Sequence, residues 1–398
     1  MHVQPNRSTY DVVIIGGGAI GSALAFFLAT NPDFTGRALV VERDWTYARS
    51  ATALSSSSIR HQFSNPINIR MSQFGTEFLR RFKQEVEVEG EAPAVGFHEN
   101  GYLFLAGPPA EPILRSNHLV QTSLGADVML LEGDKLVAQF PWINPQGVAL
   151  ASYGRSGEGW FDSHSFLTGM QNKARRLGIE YVENEVVEID RAEGRVVGIV
   201  LKTGDHVGCG QVVNAAGTRG PAMARKAGLE IPVEPRRRSL FVFACATPLA
   251  GRVPLTIDPS GVFFRPEGRF YLTGTYPKVD PAVDVDDFEV NHAEFEEDIW
   301  PALYERVPAF AAIKVTNSWA GHYDYCVLDH NAIIGPHPQL PNFHFANGFS
   351  GHGLQQSPAV GRGLSELLIY GGYRSLDLSP LSYQRVVERR LFLELSVI

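Results

Sequence analysis

The chain has 398 residues, 44% of them hydrophobic and 20% charged, with 39 glycines and a formal net charge of −8. That length suffices for a large core and about two to three domains, and the acidic balance excludes nucleic acid as a natural partner, because a polyanion is repelled. Cys209, Cys245 and Cys326 are odd in number, far apart and form no CxxC, which argues against a disulfide framework or cysteine zinc site and fits a reducing, cytoplasmic setting.

Residues 10–15 form an apolar run of strand length that ends in glycines. Residues 19–29 read as a helix, stopped near Asn31-Pro32, and residues 38–42 as a second strand. This is the opening of a doubly wound sheet. Arg7 ahead of the apolar residues 12–28, with Ala23-Leu24-Ala25, imitates a targeting signal. Asp11 and the glycines in and beside that stretch oppose this, and no membrane span is expected. About ten residues precede the first strand, too few for a mitochondrial transit peptide. Residues 66–88 read as a helix carrying Ile69, Met71, Phe74, Phe78, Leu79 and Phe82 on one face, and residues 101–105 as a strand. Residues 161–177 form a helix with Asp162 or Ser163 as its N-cap and Gly178 after its end. Strands at 186–190, 195–201 and 212–214 make a meander. Short strands follow over 238–276, then a helix over 291–305 and a last helix over 353–371. The run Arg236, Arg237, Arg238 reads as a solvated loop. Nucleotide-type elements at both chain ends, with strand-rich material between them, imply an α/β fold with an inserted α+β domain. The expected nucleotide domain takes residues 1–92, 146–234 and 318–398; a substrate domain with a mostly antiparallel sheet takes 93–145 and 236–317.

Gly16, Gly18 and Gly21 make G-x-G-x-x-G between strand and helix, with Ala19 and Ile20 inside the motif. Gly16 allows the tight turn, Gly18 lets a pyrophosphate approach the backbone, and Gly21 lets helix and strand pack. Phosphates then meet the N–H groups of the helix N-terminus. Glu42 ends the second strand, where a carboxylate accepts ribose hydroxyls. The motif implies a dinucleotide and leaves FAD and NAD open. The strand end Val212 to Asn214 runs into Ala215, Ala216 and Gly217. Near the C-terminus, Gly351, His352, Gly353, Leu354 and Gln355 open the last helix. A second Gly-rich helix start suits the flavin edge that becomes negative on reduction, which favours FAD. Five histidines from His322 to His352 lie seven or eight residues apart, not at the spacing of a helical metal site, so no metal is expected.

Val40 to Asp44, Gln62-Phe63-Ser64, Trp319-Ala320-Gly321 with Tyr323-Asp324-Tyr325, Gly335 to Pro338, Gly348 to Gln356 and Asp377 to Pro380 together resemble the D-amino-acid oxidase and sarcosine oxidase superfamily. Within it they resemble the branch of mitochondrial FAD-dependent oxidoreductase domain proteins tied to assembly of respiratory complex I. The resemblance implies FAD extended through the Rossmann domain and hydride transfer from a carbon beside nitrogen to flavin N5, giving an imine that hydrolyses. A small amine or amino acid would be the substrate. Arg43, and the segment Arg49, Ser50, Ala51, Thr52, Ser55 and Ser56, would lie against the cofactor, as would Val186 and Val187. Arg60 falls where sarcosine oxidases hold the substrate carboxylate, Arg265 is a second candidate, and Tyr323 and His352 would line the substrate face. His322 aligns with a flavin-linking cysteine of monomeric sarcosine oxidases, and Leu54 with a flavin-linking histidine of dimethylglycine dehydrogenases; noncovalent FAD is expected. Leu272 or Thr273 stands where those oxidases carry an oxygen-activating lysine, which favours a protein or quinone electron acceptor over oxygen. A monomer or small homo-oligomer is expected. The alternative is a flavin-bound assembly protein with vestigial redox activity.

Overall fold

The computed structural model of the protein describes residues 3–395. Strand β1 (Thr9–Ile15), helix α1 (Ala19–Thr30) and strand β2 (Ala38–Glu42) open the chain. β1 and β2 are rich in aliphatic residues, and Val12 to Ile15 and Ala38 to Val41 are buried on both faces, as a parallel sheet requires. α1 is apolar nearly all round. It is covered on its other sides by the helices Ser163–Arg176 and Gly353–Tyr370, so it has no solvent stripe to keep polar.

The first sheet has the order Ile333–His337, Leu340–Asn347, His206–Asn214, β1, β2, Glu180–Glu183. β1 pairs in parallel with both β2 and His206–Asn214, and Leu340–Asn347 adds to the latter in parallel. Val186–Ala192 and Arg195–Leu201 extend it as an antiparallel meander. Two chain segments, Ala38–Glu42 and His206–Asn214, thus flank β1 from distant parts of the sequence, which brings Ala215 to Gly217 beside the glycine turn that follows it.

The second sheet has the order Ile313–Cys326, Val233–Cys245, Phe270–Gly274, Phe263–Glu267, Leu255–Ile257, Tyr102–Ala106, Leu150–Gly154, Val128–Leu131. It is antiparallel except between Leu255–Ile257 and Tyr102–Ala106. One face packs Phe241, Phe243, Phe264, Tyr271 and Phe310 under the helix Trp300–Arg306. The other face, with Tyr102, Phe104, Ile257 and Phe263, turns toward Trp160 and the first domain.

Three expectations change. The helix expected over 66–88 is two helices, α2 (Pro66–Arg80) and Phe82–Val86, separated at Arg81 (φ −103°, ψ 11°). The arginine run is no solvated loop. Arg236, Arg237 and Arg238 lie in the strand Val233–Cys245, paired with Glu234, Asp287 and Asp280, and Arg238 is buried. The strands expected to be short over 238–276 include that 13-residue strand, which pairs along its length with the 14-residue Ile313–Cys326.

Candidate active site

A cavity of about 640 Å³ runs between the two sheets, from the glycine turn after β1 to the inner face of the second sheet. Gly16 has φ +101°, and a Cβ there would stand 2.4 Å from the Ala215 carbonyl oxygen, so only glycine fits this turn. Gly18 is the N-cap of α1 and carries no side-chain cap, so the helix presents its dipole to the cavity. Glu42 accepts hydrogen bonds from the N–H groups of Gly17 (2.8 Å) and Asp44 (3.0 Å), and burial raises its proton affinity against them. Arg43, Arg49, Ser50, Ala51, Thr52, Ser55, Ser56 and Val186 also line the cavity, as do Ala215, Ala216 and Gly217. Ile20 lines it as well. Ala19 also borders the cavity, but its N–H already donates to Thr52 Oγ1 (3.0 Å).

Two residues expected at the cofactor do not reach the cavity. Gly21 sits one layer down, where a Cβ would stand 1.9 Å from the Gly16 carbonyl oxygen; it lets the helix pack and touches nothing in the cavity. The Val187 carbonyl faces outward and accepts from Lys226 Nζ (2.6 Å).

The other end of the cavity is formed by the loop before Gly353–Tyr370 and by Ile313–Cys326. Gly348, Ser350 and Gly351 all have positive φ, and a Cβ on Gly351 would enter the Tyr323 ring at 2.5 Å. Asp324 holds this loop: its Oδ2 accepts the Gly348 N–H at 2.8 Å, and the Phe349 N–H also bonds to it. Burial pushes the Asp324 carboxyl up to about 6. Gly351, His352, Gly353, Leu354 and Gln355 all line the cavity, so the helix N-terminus faces it.

Arg60 lines the cavity where the two domains meet. It is 5% exposed, and no acidic side chain among the described residues lies within 4.0 Å of it. Its Nη2 donates to His352 Nε2 at 3.2 Å, and its Nε is buried without a partner. The guanidinium lies over the rings of Phe63 (4.7 Å), Phe104 (5.3 Å) and Tyr102 (5.7 Å). Arginine only donates, so His352 Nε2 accepts and the ring proton resides on Nδ1. Burial, reinforced by the Arg60 charge, drives the proton affinity of His352 far down, so it stays neutral beside that charge.

Arg265 is a correction. It does not line the cavity: its guanidinium binds the carbonyl oxygen of Ser56, that of Pro266 and the carboxylate of Glu267, and it lies over Trp160. It ties the second sheet to the Ser55-Ser56 segment. Neither Leu272 nor Thr273 lines the cavity: Leu272 packs with Leu240 and Val242 in the core of the second sheet, Thr273 Oγ1 on the opposite face donates to the Phe263 carbonyl (2.6 Å), and Thr275 and Tyr276 line the cavity instead. His322 lines it, with Nε2 bound to the Asp287 carbonyl (2.6 Å), its ring stacked on Phe288 and Nδ1 buried without a partner.

Sequence reasoning missed several lining groups. Arg238 borders the cavity, but its terminal nitrogens are taken by Asp280, and it stacks on Tyr276 and Tyr323. Tyr102, Leu240, Ile257 and Phe263 come from strands whose register no local pattern reveals.

These residues fit an extended flavin dinucleotide: a glycine turn and helix N-terminus at one end, a ribose-type carboxylate beside them, and a second helix N-terminus at the other end. The sequence profile of the family described as "FAD dependent oxidoreductase" matches residues 11–367. The chain is 40% identical over 430 residues to the FAD-dependent oxidoreductase domain-containing protein 1 of Xenopus laevis, covering 100% of this chain and 86% of that one. It is 25% identical to the mitochondrial dimethylglycine dehydrogenase of Homo sapiens over 94% of this chain, which spans 44% of that protein. The solved L-proline dehydrogenase of P. horikoshii shares its fold with a TM-score of 0.84 at 24% identity, covering 98% of this chain and 100% of that one. The chain belongs to the DAO family of FAD-dependent oxidoreductases.

Proposed function

We propose that this enzyme oxidises the C–N bond of a small amino acid whose carboxylate is held by Arg60. The observation that carries this reading is the burial of the Arg60 charge with no carboxylate of the described residues within 4.0 Å of it, Glu158 lying farther off. An isolated buried cation is costly unless an anion completes it, and the neutral His352 cannot do so. A substrate carboxylate is such an anion, and the planar guanidinium suits it in a bidentate fork. FAD held between the glycine turn after β1 and the Gly351–Gly353 helix start would supply the two-electron acceptor for the carbon beside nitrogen. The chain's own residues hold the acid end, exclude water with the Phe63, Tyr102 and Phe104 rings, and fix the flavin edge with the Asp324-braced loop. The relatives named for dimethylglycine and proline act on amino acids with a substituted nitrogen, in keeping with this reading.

FAD is held noncovalently in this proposal. Leu54 lines the cavity with an apolar side chain that forms no flavin link, and His322 is committed through Nε2 to Asp287. Acid precipitation of the purified protein is expected to leave the yellow colour in the supernatant.

The test of function is anaerobic mixing of the yellow protein with N-methyl amino acids, proline and D-amino acids. Bleaching by at least one of them is expected, and no bleaching across the panel rejects the proposal in favour of a flavoprotein kept for assembly. Reoxidation by air, compared with a quinone or artificial acceptor, then separates an oxidase from a dehydrogenase.

A further inference from the structure

The wall beside Arg60 is a row of apolar side chains set by strand register. In the second sheet Phe104 pairs with Ile257, Ile257 with Phe263, and Phe263 with Gly274, which pairs in turn with Leu240. These five positions therefore form one line across five strands. Phe104, Ile257 and Phe263 share one core cluster, and Phe263 also packs against the cluster that holds Leu240, so their side chains lie on the same face. Gly274 has no side chain to raise the line, and Leu240 and Phe263 close over it: a Cβ there would stand 2.8 Å and 3.1 Å from them. Ile257, Phe263 and Leu240 all line the cavity.

The row begins at the Arg60 guanidinium, which lies 5.3 Å from the centre of the Phe104 ring. The polar groups near its far end are engaged with one another. Arg238 is held by Asp280, and the hydroxyl groups of Tyr276 and Tyr325 bond at 3.0 Å. A ligand anchored by its carboxylate at Arg60 meets carbon along this wall. Adjacent strands lie about 4.8 Å apart, so the path from Phe104 to Phe263 is about 10 Å, room for roughly four to six carbons beyond a carboxylate.

Resting on the carboxylate reading of Arg60, we propose that the substrate is an amino acid with an apolar side chain or apolar N-substituent laid along Ile257, Phe263 and Leu240, larger than glycine or sarcosine. Such a ligand removes those side chains from water and buries its own methylenes, whereas a two-carbon acid leaves the row wet.

The probes are straight-chain carboxylates from acetate to hexanoate, titrated into the FAD-loaded enzyme and read by the perturbation of its visible flavin absorbance. Kd is expected to fall about fourfold for each added methylene until the row is filled. Ile257→Thr and Leu240→Thr keep strand-forming side chains, and each is expected to flatten this dependence. Arg60→Met is expected to abolish binding of every acid. A Kd independent of chain length, with binding still lost in Arg60→Met, overturns the apolar-substrate proposal and leaves the carboxylate reading standing. A chain-length dependence unaltered in both threonine variants overturns the assignment to this row. Binding that survives in Arg60→Met, or no perturbation by any acid, overturns the carboxylate reading itself.

Discussion

At the residue scale, Arg60 and Glu158 are the two buried charges that decide the behaviour of the substrate end. Arg60 is buried with a neutral imidazole and three aromatic rings but no ion pair, so a ligand anion supplies the charge partner it lacks. Arg60→Met keeps the length of the side chain and removes a bidentate, charge-assisted pair of hydrogen bonds. The expected loss is about 3 kcal/mol or more of ligand affinity, roughly a hundredfold in Kd or in kcat/KM. Arg60→Lys recovers part of this, because a point charge replaces the fork. Steady-state kinetics with whichever substrate bleaches the flavin checks both. Glu158 lies just behind, fully buried, accepting the His61 N–H (2.8 Å) and Gln62 Nε2 (2.8 Å), and burial raises its carboxyl to about 7. In the unfolded chain it ionises near the ordinary glutamate value. Between those two values the native state holds a proton that the unfolded state has lost, so stability falls as pH rises from about 4.5 to 7. The full contribution is about 3 kcal/mol at most. Glu158→Gln removes this slope. The variant is expected to gain stability relative to the parent between pH 5 and pH 8, and parallel pH profiles of thermal unfolding for the two proteins would rule out the assignment.

At the element scale, the glycines of the turn after β1 separate cofactor binding from folding. Gly18 has φ −64°, and a Cβ on it would meet only Thr52 Oγ1 at 3.3 Å, a side chain able to give way. Gly18→Ala is expected to fold with the parent's circular dichroism but to purify with a flavin-to-protein ratio reduced at least severalfold, since the methyl intrudes where the phosphates approach. Gly21→Ala places its methyl 1.9 Å from the Gly16 carbonyl oxygen, which nothing can absorb, and is expected to yield little soluble protein. If both variants bind flavin alike, the division of labour between these glycines is wrong. This turn was legible because its signals are local: a short apolar strand, three glycines at fixed spacing and a carboxylate at the end of β2. The last helix was legible for the same reason, opening at Gly353 and ending at Gly371, whose φ of +75° is a left-handed cap. The helix Glu111–Ser123 was not. Its buried residues are Leu114, Asn117 and Gln121, two of them amides that bond the Leu395 and Phe63 carbonyls, so no apolar period marks it. Arg265 misled for a related reason. It stands in the strand domain as a ligand-binding arginine would, but its guanidinium is taken by the Ser56 carbonyl 209 residues away and by the Pro266 carbonyl and Glu267 carboxylate beside it.

At the scale of the whole molecule, the site exists only because separate stretches of chain converge, and that convergence is a property of register that no window of sequence contains. Ile313–Cys326 is the clearest case. It pairs with Val233–Cys245 along its whole length in the second sheet, while Gly321 also lies against Leu54 and Asp324 holds the Gly348 N–H. One strand therefore belongs to the antiparallel sheet and also braces the loop that opens the last helix. The cavity between the sheets is walled by both, so a bound flavin adds contacts across a boundary that the protein alone crosses through few elements. FAD that binds only the native state adds about 2.7 kcal/mol of stability at a free concentration one hundred times its Kd. Because the cofactor touches both walls, flavin release and loss of secondary structure are expected at the same midpoint, with flavin fluorescence and circular dichroism following one transition. In the flavin-depleted protein that midpoint drops. Asp324→Asn keeps an acceptor oxygen for Gly348 and is expected to preserve the single transition, whereas Asp324→Ala removes the brace between strand and loop. Flavin release well below the unfolding midpoint in the alanine variant, with coincidence retained in the asparagine variant, is the expected outcome. Separate transitions already present in the parent would show that the two sheets do not depend on each other through this strand.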